Sequence, residues 1–102
     1  MKRDALEVIR EALSQEELLC QLAEEASELA QAALKLRRAY DGTNPTPVSA
    51  GEAFKGLLEE VADVQVCLIA LGLDRGFNFV QTSMRMNEKM HRWADRLEEV
   101  RK

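Results

Sequence analysis

The sequence predicts an all-α protein with a four-helix-bundle-like fold over residues 1–102. Ala, Leu, Glu and Arg dominate it, whereas Gly and Pro, which interrupt helices, number only 5 and 2 in 102 residues. Apolar residues recur at helical spacing over most of the chain, and no run alternates as a strand would. A hydrophobic content of 46% beside a charged content of 31% is typical of a globular domain. We therefore expect a single domain of packed helices.

The first two helices are separated by a capping signal. The apolar pattern predicts a short helix over about residues 3–13. Ser14 follows it, and Glu17 stands three residues later, which is the pattern of a capping box. We expect the second helix to begin after Ser14 and to run over about residues 15–40.

The third and fourth helices follow the one clear loop of the sequence. This loop, residues 41–48, contains both prolines and a helix-stopping glycine. Ser49 and Glu52 repeat the capping-box pattern and begin a third helix that runs to about residue 71. A tight turn over residues 72–76 leads into a fourth helix, from about residue 78 to near the C-terminus.

Charge and composition argue against several classes of function. The net charge is −4 and there is no basic arm, so nucleic acid is not the expected partner. The first residues are too charged for a signal peptide, and no apolar run approaches transmembrane length, so no membrane partner is expected. Cys20 and Cys67 lack metal-ligand spacing and are interpreted as reduced, partly buried thiols. These features favour a cytoplasmic protein.

An acidic cluster in the second helix lies where apolar residues are expected. Its pattern is Glu24-Glu25-x-x-Glu28. Glu25 falls inside the apolar stripe of this helix, and Glu28 and Glu24 lie progressively further toward one edge. A carboxylate among apolar side chains is unfavourable unless a positive group compensates it. The members of the stripe are Leu18, Leu22, Leu29, Ala33 and Leu36.

A second acidic pair, Glu60-x-x-Asp63, lies in the third helix. Residues 61–71 are apolar almost all round, so the sequence predicts that they are buried on most sides. Asp63 and Gln65 are the only polar side chains among them. Glu60 and Asp63 are three residues apart and therefore neighbours on one surface of the helix.

The two acidic pairs together predict a metal site. Glu25 with Glu28, and Glu60 with Asp63, would each give two oxygen ligands on adjacent turns, and antiparallel packing would bring the pairs face to face. Four carboxylates suit Mg²⁺ or Mn²⁺, ions that commonly bind phosphates. Glu24, beside the site, is a candidate for accepting a proton from an attacking water.

The fourth helix has an apolar seam flanked by basic residues. The heptad-like spacing of the seam predicts packing against another helix, and we expect a homodimer or homotetramer. The basic residues are candidates for binding phosphates, although a solvated flank explains them equally well. The seam comprises Phe79, Met86, Met90, Trp93, Leu97 and Val100, and the basic stripe comprises Arg85, Lys89, Arg92 and Arg96.

Two segments resemble a known family. They are LAEEASELAQAALKLRRA, residues 22–39, and GLLEEVADVQVCLIAL, residues 56–71. With the order of helices and loop, they resemble the all-α nucleoside triphosphate pyrophosphohydrolases, in particular the MazG-like proteins. The resemblance implies Mg²⁺-dependent hydrolysis of a nucleoside or deoxynucleoside triphosphate at the α–β linkage, giving a monophosphate and pyrophosphate. The two acidic halves are further apart here than in many members of the family.

The resemblance also implies roles for individual residues. Glu24 would be the base that orients or deprotonates the water, and Lys89 and Asn87 would contact phosphate or sugar. Arg92 and Lys35 are further candidates for binding the substrate, and Lys35 has a solvated alternative. The implied metal ligands are Glu25, Glu28, Glu60 and Asp63.

Other interpretations of the same residues stay open. The acids could be solvated members of exposed helix faces, with Glu24 a surface acid. The chain could be a non-catalytic oligomerisation or regulatory module that retains a metal site. A di-metal redox bundle would need two Glu-x-x-His patterns, and the chain has one, Glu88-x-x-His91. The sequence contains no signal for the base or sugar of a nucleotide.

Overall fold

The computed structural model describes residues 3–44 and 48–101, and these form four α-helices without a strand. The helices are α1 (Ala5–Ala12), α2 (Gln15–Asp41), α3 (Ala50–Ala70) and α4 (Gly76–Arg101). The all-α prediction is confirmed, and α2 and α3 begin and end within one residue of their predicted bounds. Residues 45–47 of the predicted loop lie outside the described part of the chain.

The N-terminus of α2 is fixed by the predicted capping box. The Ser14 hydroxyl accepts a hydrogen bond from the Glu17 backbone N–H, and the Glu17 carboxylate accepts one from the Ser14 N–H, both at 3.1 Å. These bonds hold the pKa of Glu17 below its ordinary value of 4.5. Ser49 caps α3 by accepting from the Glu52 N–H at 3.1 Å, without the return bond of a full box among the described residues.

The C-terminus of α2 requires a glycine. Gly42 adopts the left-handed conformation with φ +75°, and the N–H groups of Gly42 and Thr43 both donate to the Arg38 carbonyl. A Cβ at Gly42 would meet no atom within 4 Å, so the backbone conformation rather than space makes glycine the favoured residue.

Helices α2 and α3 form a hairpin, and α1 contacts the end of α3. The first of two compact units of the chain extends to Leu71 and contains these three helices. The Arg10 side chain donates to the carbonyls of Ile69 and Ala70, at 2.9 and 3.1 Å. Arg10 therefore donates to carbonyl groups at the C-terminal end of α3, where the regular helical hydrogen bonds end.

The first unit encloses only a small core. Its buried apolar residues are Leu18, Ala53, Cys67 and Ala70, and no large side chain in the described chain is fully buried. Contrary to the expected burial of α3 on most sides, the face of α3 opposite Cys67 is open, because in this unit α2 covers one side of it. The exposed apolar residues of α3 are Phe54, Leu58, Val66 and Ile69.

The second unit begins at Gly72 and contains α4. Gly72 and Gly76 both have positive φ, and the Asn78 amide donates to the Gly72 carbonyl at 3.1 Å, so the turn closes directly onto the first turn of α4. The six apolar residues of the predicted seam are all more than half exposed. The predictions of a single domain over residues 1–102 and of a homo-oligomer stay predictions. Within the described residues, no helix has the length and apolar character needed to cross a membrane.

Candidate metal centre and adjoining cleft

Three predicted metal ligands meet between α2 and α3. Glu25, Glu60 and Asp63 each offer one carboxylate oxygen, and these oxygens lie within 4.8 Å of one another. Glu25 comes from the apolar face of α2, whereas Glu60 and Asp63 occupy adjacent turns of α3. The pairing of the two helices thus brings Glu25 together with acids that follow it by 35 and 38 positions in the sequence.

Two oxygens of this cluster are buried without a partner. Glu25 Oε2 and Glu60 Oε2 are inaccessible to solvent and accept no hydrogen bond among the described residues. The other oxygen of Glu25 accepts from the Gln21 amide at 2.9 Å. A carboxylate oxygen removed from water and left unpaired is energetically costly, and a cation at the cluster would remove this cost.

The electrostatics of the cluster disfavour the negative charge of Glu25. Burial raises the pKa of Glu25 above its ordinary value of 4.5, the hydrogen bond from Gln21 opposes this shift, and the carboxylates of Glu28 and Asp63 add to it. Burial also raises the pKa of the Cys67 thiol, with further contributions from Glu25 and Asp63. These effects disfavour the thiolate form of Cys67, which lies beside a cluster made of carboxylates.

The other two predicted acids lie outside the cluster. Glu28 is half-buried one turn after Glu25, toward the edge of the same face of α2, and it lines a cleft together with Glu60. Glu24 is exposed and lines a shallow depression with Leu13 and Cys20 among others. The metal role of Glu28 and the catalytic role of Glu24 therefore stay predictions.

A cleft of about 540 Å³ runs beside the cluster between α2 and α3. This volume falls within the range of small-molecule sites. Its walls carry both signs of charge, and small side chains of Ala and Gly line part of it. Its lining residues are Glu28, Gln31, Ala32, Lys35 and Arg38 from α2, and Glu52, Ala53, Gly56 and Glu60 from α3.

The predicted substrate contacts fall in both units. Lys35 lines the cleft in the first unit. Asn87, Lys89 and Arg92 are exposed on α4 in the second unit. Asn87 borders a largely apolar depression of about 490 Å³ that also involves Trp93. By helical geometry, Lys89 and Arg92 flank the apolar seam on one side and Asn87 flanks it on the other.

Three polar residues near the site were not singled out from the sequence. Gln21 orients Glu25, and its position four residues before Glu25 is the signal that could have identified it. Asn44 accepts from Arg38 Nε at 3.1 Å and donates to the Lys35 carbonyl at 3.3 Å. Glu52, considered above only as a cap residue, lines the cleft.

The donor set fits a hard divalent cation. All three clustered groups are carboxylates, and no histidine belongs to the cluster in the described part of the chain. Two oxygens bound to one Mg²⁺ at 2.0–2.1 Å are at most about 4.2 Å apart. The separations within the cluster are close to this limit, so small side-chain movements would complete the coordination.

Comparisons with protein-family models, curated proteins and solved structures found no match for this chain.

Proposed function

We propose that this chain is a Mg²⁺-dependent nucleoside triphosphate pyrophosphohydrolase of the MazG-like type, with Mn²⁺ as an alternative ion. The observation that carries the proposal is the cluster of Glu25, Glu60 and Asp63, in which two buried oxygens have no hydrogen-bond partner among residues 3–44 and 48–101. The resemblance of the two acidic helices to the all-α pyrophosphohydrolases supplies the reaction. An adjoining cleft with cationic side chains supports a phosphorylated substrate.

In the proposed reaction, water attacks the α-phosphorus of the nucleotide. The bond from the α-phosphorus to the α–β bridging oxygen breaks, and pyrophosphate leaves with the bonding electron pair. Bound Mg²⁺ would lower the pKa of the attacking water and neutralise charge on the phosphates. Glu25, Glu60 and Asp63 would hold the ion, and Gln21 would keep Glu25 oriented through its 2.9 Å hydrogen bond.

Glu24 is the proposed base for this reaction. Glu24 is the first residue of the Glu24-Glu25-x-x-Glu28 pattern, and its side chain is exposed on α2. From there it would take the proton of the attacking water, directly or through a second water. Glu28, half-buried and lining the cleft next to Glu60, would complete the set of metal ligands.

The proposed enzyme is a cytoplasmic homodimer or homotetramer. The small buried core and the open apolar faces of α3 and α4 support self-association. In such an assembly, Asn87, Lys89 and Arg92 of α4 would contact the phosphates or sugar of a nucleotide, within one chain or between copies.

The test is incubation of the protein with a panel of ribo- and deoxyribonucleoside triphosphates plus Mg²⁺ or Mn²⁺, followed by chromatography of the products. The proposal expects a nucleoside monophosphate and pyrophosphate, with no products when EDTA is present. Diphosphate and orthophosphate would contradict the cleavage position, and no product from any triphosphate would contradict the proposed substrate class.

A second candidate is a non-catalytic oligomerisation module that retains the metal site. The exposed apolar seam of α4 favours it, because such a seam is typical of helix-mediated assembly. Metal-dependent thermal stabilisation is expected of both candidates and does not separate them. Product analysis does, because only the enzyme forms pyrophosphate.

A further inference from the structure

We infer that the cleft between α2 and α3 is the binding site for the pyrophosphate part of the substrate, with Lys35 and Arg38 as its cationic ligands. This inference rests on the proposed function, since it assigns the β- and γ-phosphates of the nucleotide to a particular place beside the metal cluster. It adds a binding site for the leaving pyrophosphate and gives the ligand an orientation in the cleft. The metal would lie at the Glu60 end, and the cationic side chains lie at the Arg38 end.

The cleft is continuous with the metal cluster. Glu60 belongs both to the carboxylate cluster and to the lining of the cleft. A ligand bound to an ion at Glu60 would therefore lie at the border of this cleft. Ala32, Ala53 and Gly56 line part of this space, and their small side chains leave room for a ligand.

The two cations at the far end are available to an anion. Neither Lys35 nor Arg38 forms an ion pair within the described residues. Arg38 Nε donates to Asn44 at 3.1 Å, and its terminal nitrogens make no hydrogen bond in that same part of the chain. Asn44 thus orients the guanidinium while leaving its phosphate-binding edge free.

The spacing of the groups suits a diphosphate. Lys35 follows Glu28 by seven residues, which is about 10 Å along the axis of α2. A diphosphate chelated by an ion near Glu28 and Glu60 would cover part of this distance, and the long Lys35 side chain would cover the rest.

The charges of the cleft make anion binding depend on the metal. Three carboxylates and two cations line it, and Glu25 and Asp63 of the adjoining cluster add two further carboxylates, so the net charge of cleft and cluster is −3 without an ion and −1 with one divalent ion. In the metal-free protein, Glu28, Glu52 and Glu60 repel a phosphate anion. We therefore expect divalent ion and pyrophosphate to bind cooperatively, each increasing the affinity for the other by the same factor.

The experiment is calorimetric titration of the full chain with inorganic pyrophosphate, at saturating Mg²⁺ and in EDTA. We expect saturable binding in Mg²⁺ that EDTA abolishes, and affinities lower by about tenfold for Lys35→Gln and for Arg38→Gln, since each removes a charged hydrogen-bond donor. Lys35→Arg, which keeps the charge, should restore most of the affinity. Arg37→Gln, one residue away on an exposed position, is the matched control and should bind as the wild type does.

Several outcomes would overturn the inference. Unchanged pyrophosphate affinity in both Lys35→Gln and Arg38→Gln would do so, as would an equal loss in Arg37→Gln or binding that persists in EDTA. Lys35 is exposed, so its substitution should leave the thermal unfolding curve unaltered, and this keeps the test independent of folding.

The same titration separates this inference from the proposed function. One result is pyrophosphate binding that depends on Mg²⁺, Lys35 and Arg38, with no hydrolysis of any nucleotide. It would support the proposed pyrophosphate site and contradict the proposed enzymatic function. The opposite result is hydrolysis at the α–β linkage together with a pyrophosphate affinity that neither Lys35→Gln nor Arg38→Gln changes. It would support the proposed enzyme and contradict the proposed pyrophosphate site. A nucleoside monophosphate serves as the control ligand, and its affinity should be the same in wild type and Lys35→Gln.

Discussion

At the scale of single residues, the most consequential side chain is Glu25. It occupies a position on the packing face of α2 that the helical pattern would otherwise fill with an apolar residue. One of its oxygens accepts a hydrogen bond from Gln21, and the other is buried without a hydrogen-bond partner in the part of the chain that the structure describes. Its neighbours across the hairpin, Glu60 and Asp63, are acids, so they do not compensate its negative charge, and the proposed cation would.

The raised pKa of Glu25 predicts how the stability of the metal-free protein depends on pH. Because the folded state holds this proton more tightly than the unfolded state, the free energy of unfolding should fall as pH rises from 4.5 through the raised pKa. Above the raised pKa of Glu25, this loss in the free energy of unfolding is complete. Glu25→Gln should therefore be more stable than wild type at pH 7 in EDTA, and its stability should depend less on pH.

Urea unfolding at pH 5 and pH 7 measures this difference. Glu24→Gln is the matched control, because Glu24 is the adjacent acid on α2, exposed and outside the cluster. It should retain the pH dependence of the wild type. Equal stability of Glu25→Gln and wild type at pH 7 would contradict the electrostatic account of the cluster.

Metal affinity gives a second prediction at this scale. Glu25→Gln and Asp63→Asn should each weaken Mn²⁺ binding by about tenfold or more, since a neutral amide replaces a ligating anion. Titration followed by the spin resonance of free Mn²⁺ measures this. Glu24→Gln should keep its affinity for Mn²⁺ and lose turnover. A comparable loss of affinity in Glu24→Gln would instead make Glu24 a ligand.

At the scale of helices, local signals determine where each element begins and ends. Ser14 and Ser49 cap α2 and α3, and Gly42 ends α2 in the left-handed conformation. Arg10 binds the carbonyls at the end of α3 and so fixes the contact of α1. These interactions hold the two ends of the hairpin while the carboxylates meet near its middle.

The capping box of α2 predicts a measurable loss of stability. Ser14→Ala removes the acceptor for the Glu17 N–H and should lower the free energy of unfolding by about 1 kcal/mol. Ser27→Ala, at an exposed interior position of α2, is the control and should be neutral or slightly stabilising, because alanine favours helix. Urea unfolding of both variants tests this, and an equal effect of the two would contradict a capping role for Ser14.

The helices were predictable because their signals are local, and the site was predictable only in part. Caps and apolar periodicity identified α2 and α3 closely, and the misplaced acids pointed to Glu25, Glu60 and Asp63. The position of Glu28 outside the cluster depends on how α2 is rotated and shifted against α3, which no local pattern specifies. The cleft with Lys35 and Arg38 arises from the same pairing, and Asn44 contributes through the tertiary course of the loop.

At the scale of the whole molecule, the shortage of buried surface is the main feature. A domain of about this size normally buries a larger share of its apolar side chains, yet the described chain fully encloses no large one. The outer face of α3 carries four exposed apolar residues along its length. Exposed patches of this kind usually mark an interface.

We therefore predict that the protein self-associates through the exposed apolar face of α3. Light scattering coupled to size exclusion should give the mass of a dimer or tetramer for the wild type. Leu58→Glu, which places a charge on the open face of α3, should shift the mass toward that of one chain. Leu34→Glu, on an equally exposed leucine of α2, is the control and should leave the mass unchanged. A wild type that elutes as a single chain would contradict the prediction.

The three clustered carboxylates belong to two helices joined by one loop, so the proposed divalent ion would couple its own binding to the folding of the chain. An unfolded chain does not hold Glu25 against Glu60 and Asp63, so an ion that binds the cluster selects the folded state. By mass action, free ion at a hundredfold excess over its Kd adds about 2.7 kcal/mol to the free energy of unfolding. If the proposed metal site is correct, ion starvation would reduce the population of the folded protein, and the amount of folded protein in a cell would depend on the supply of that ion.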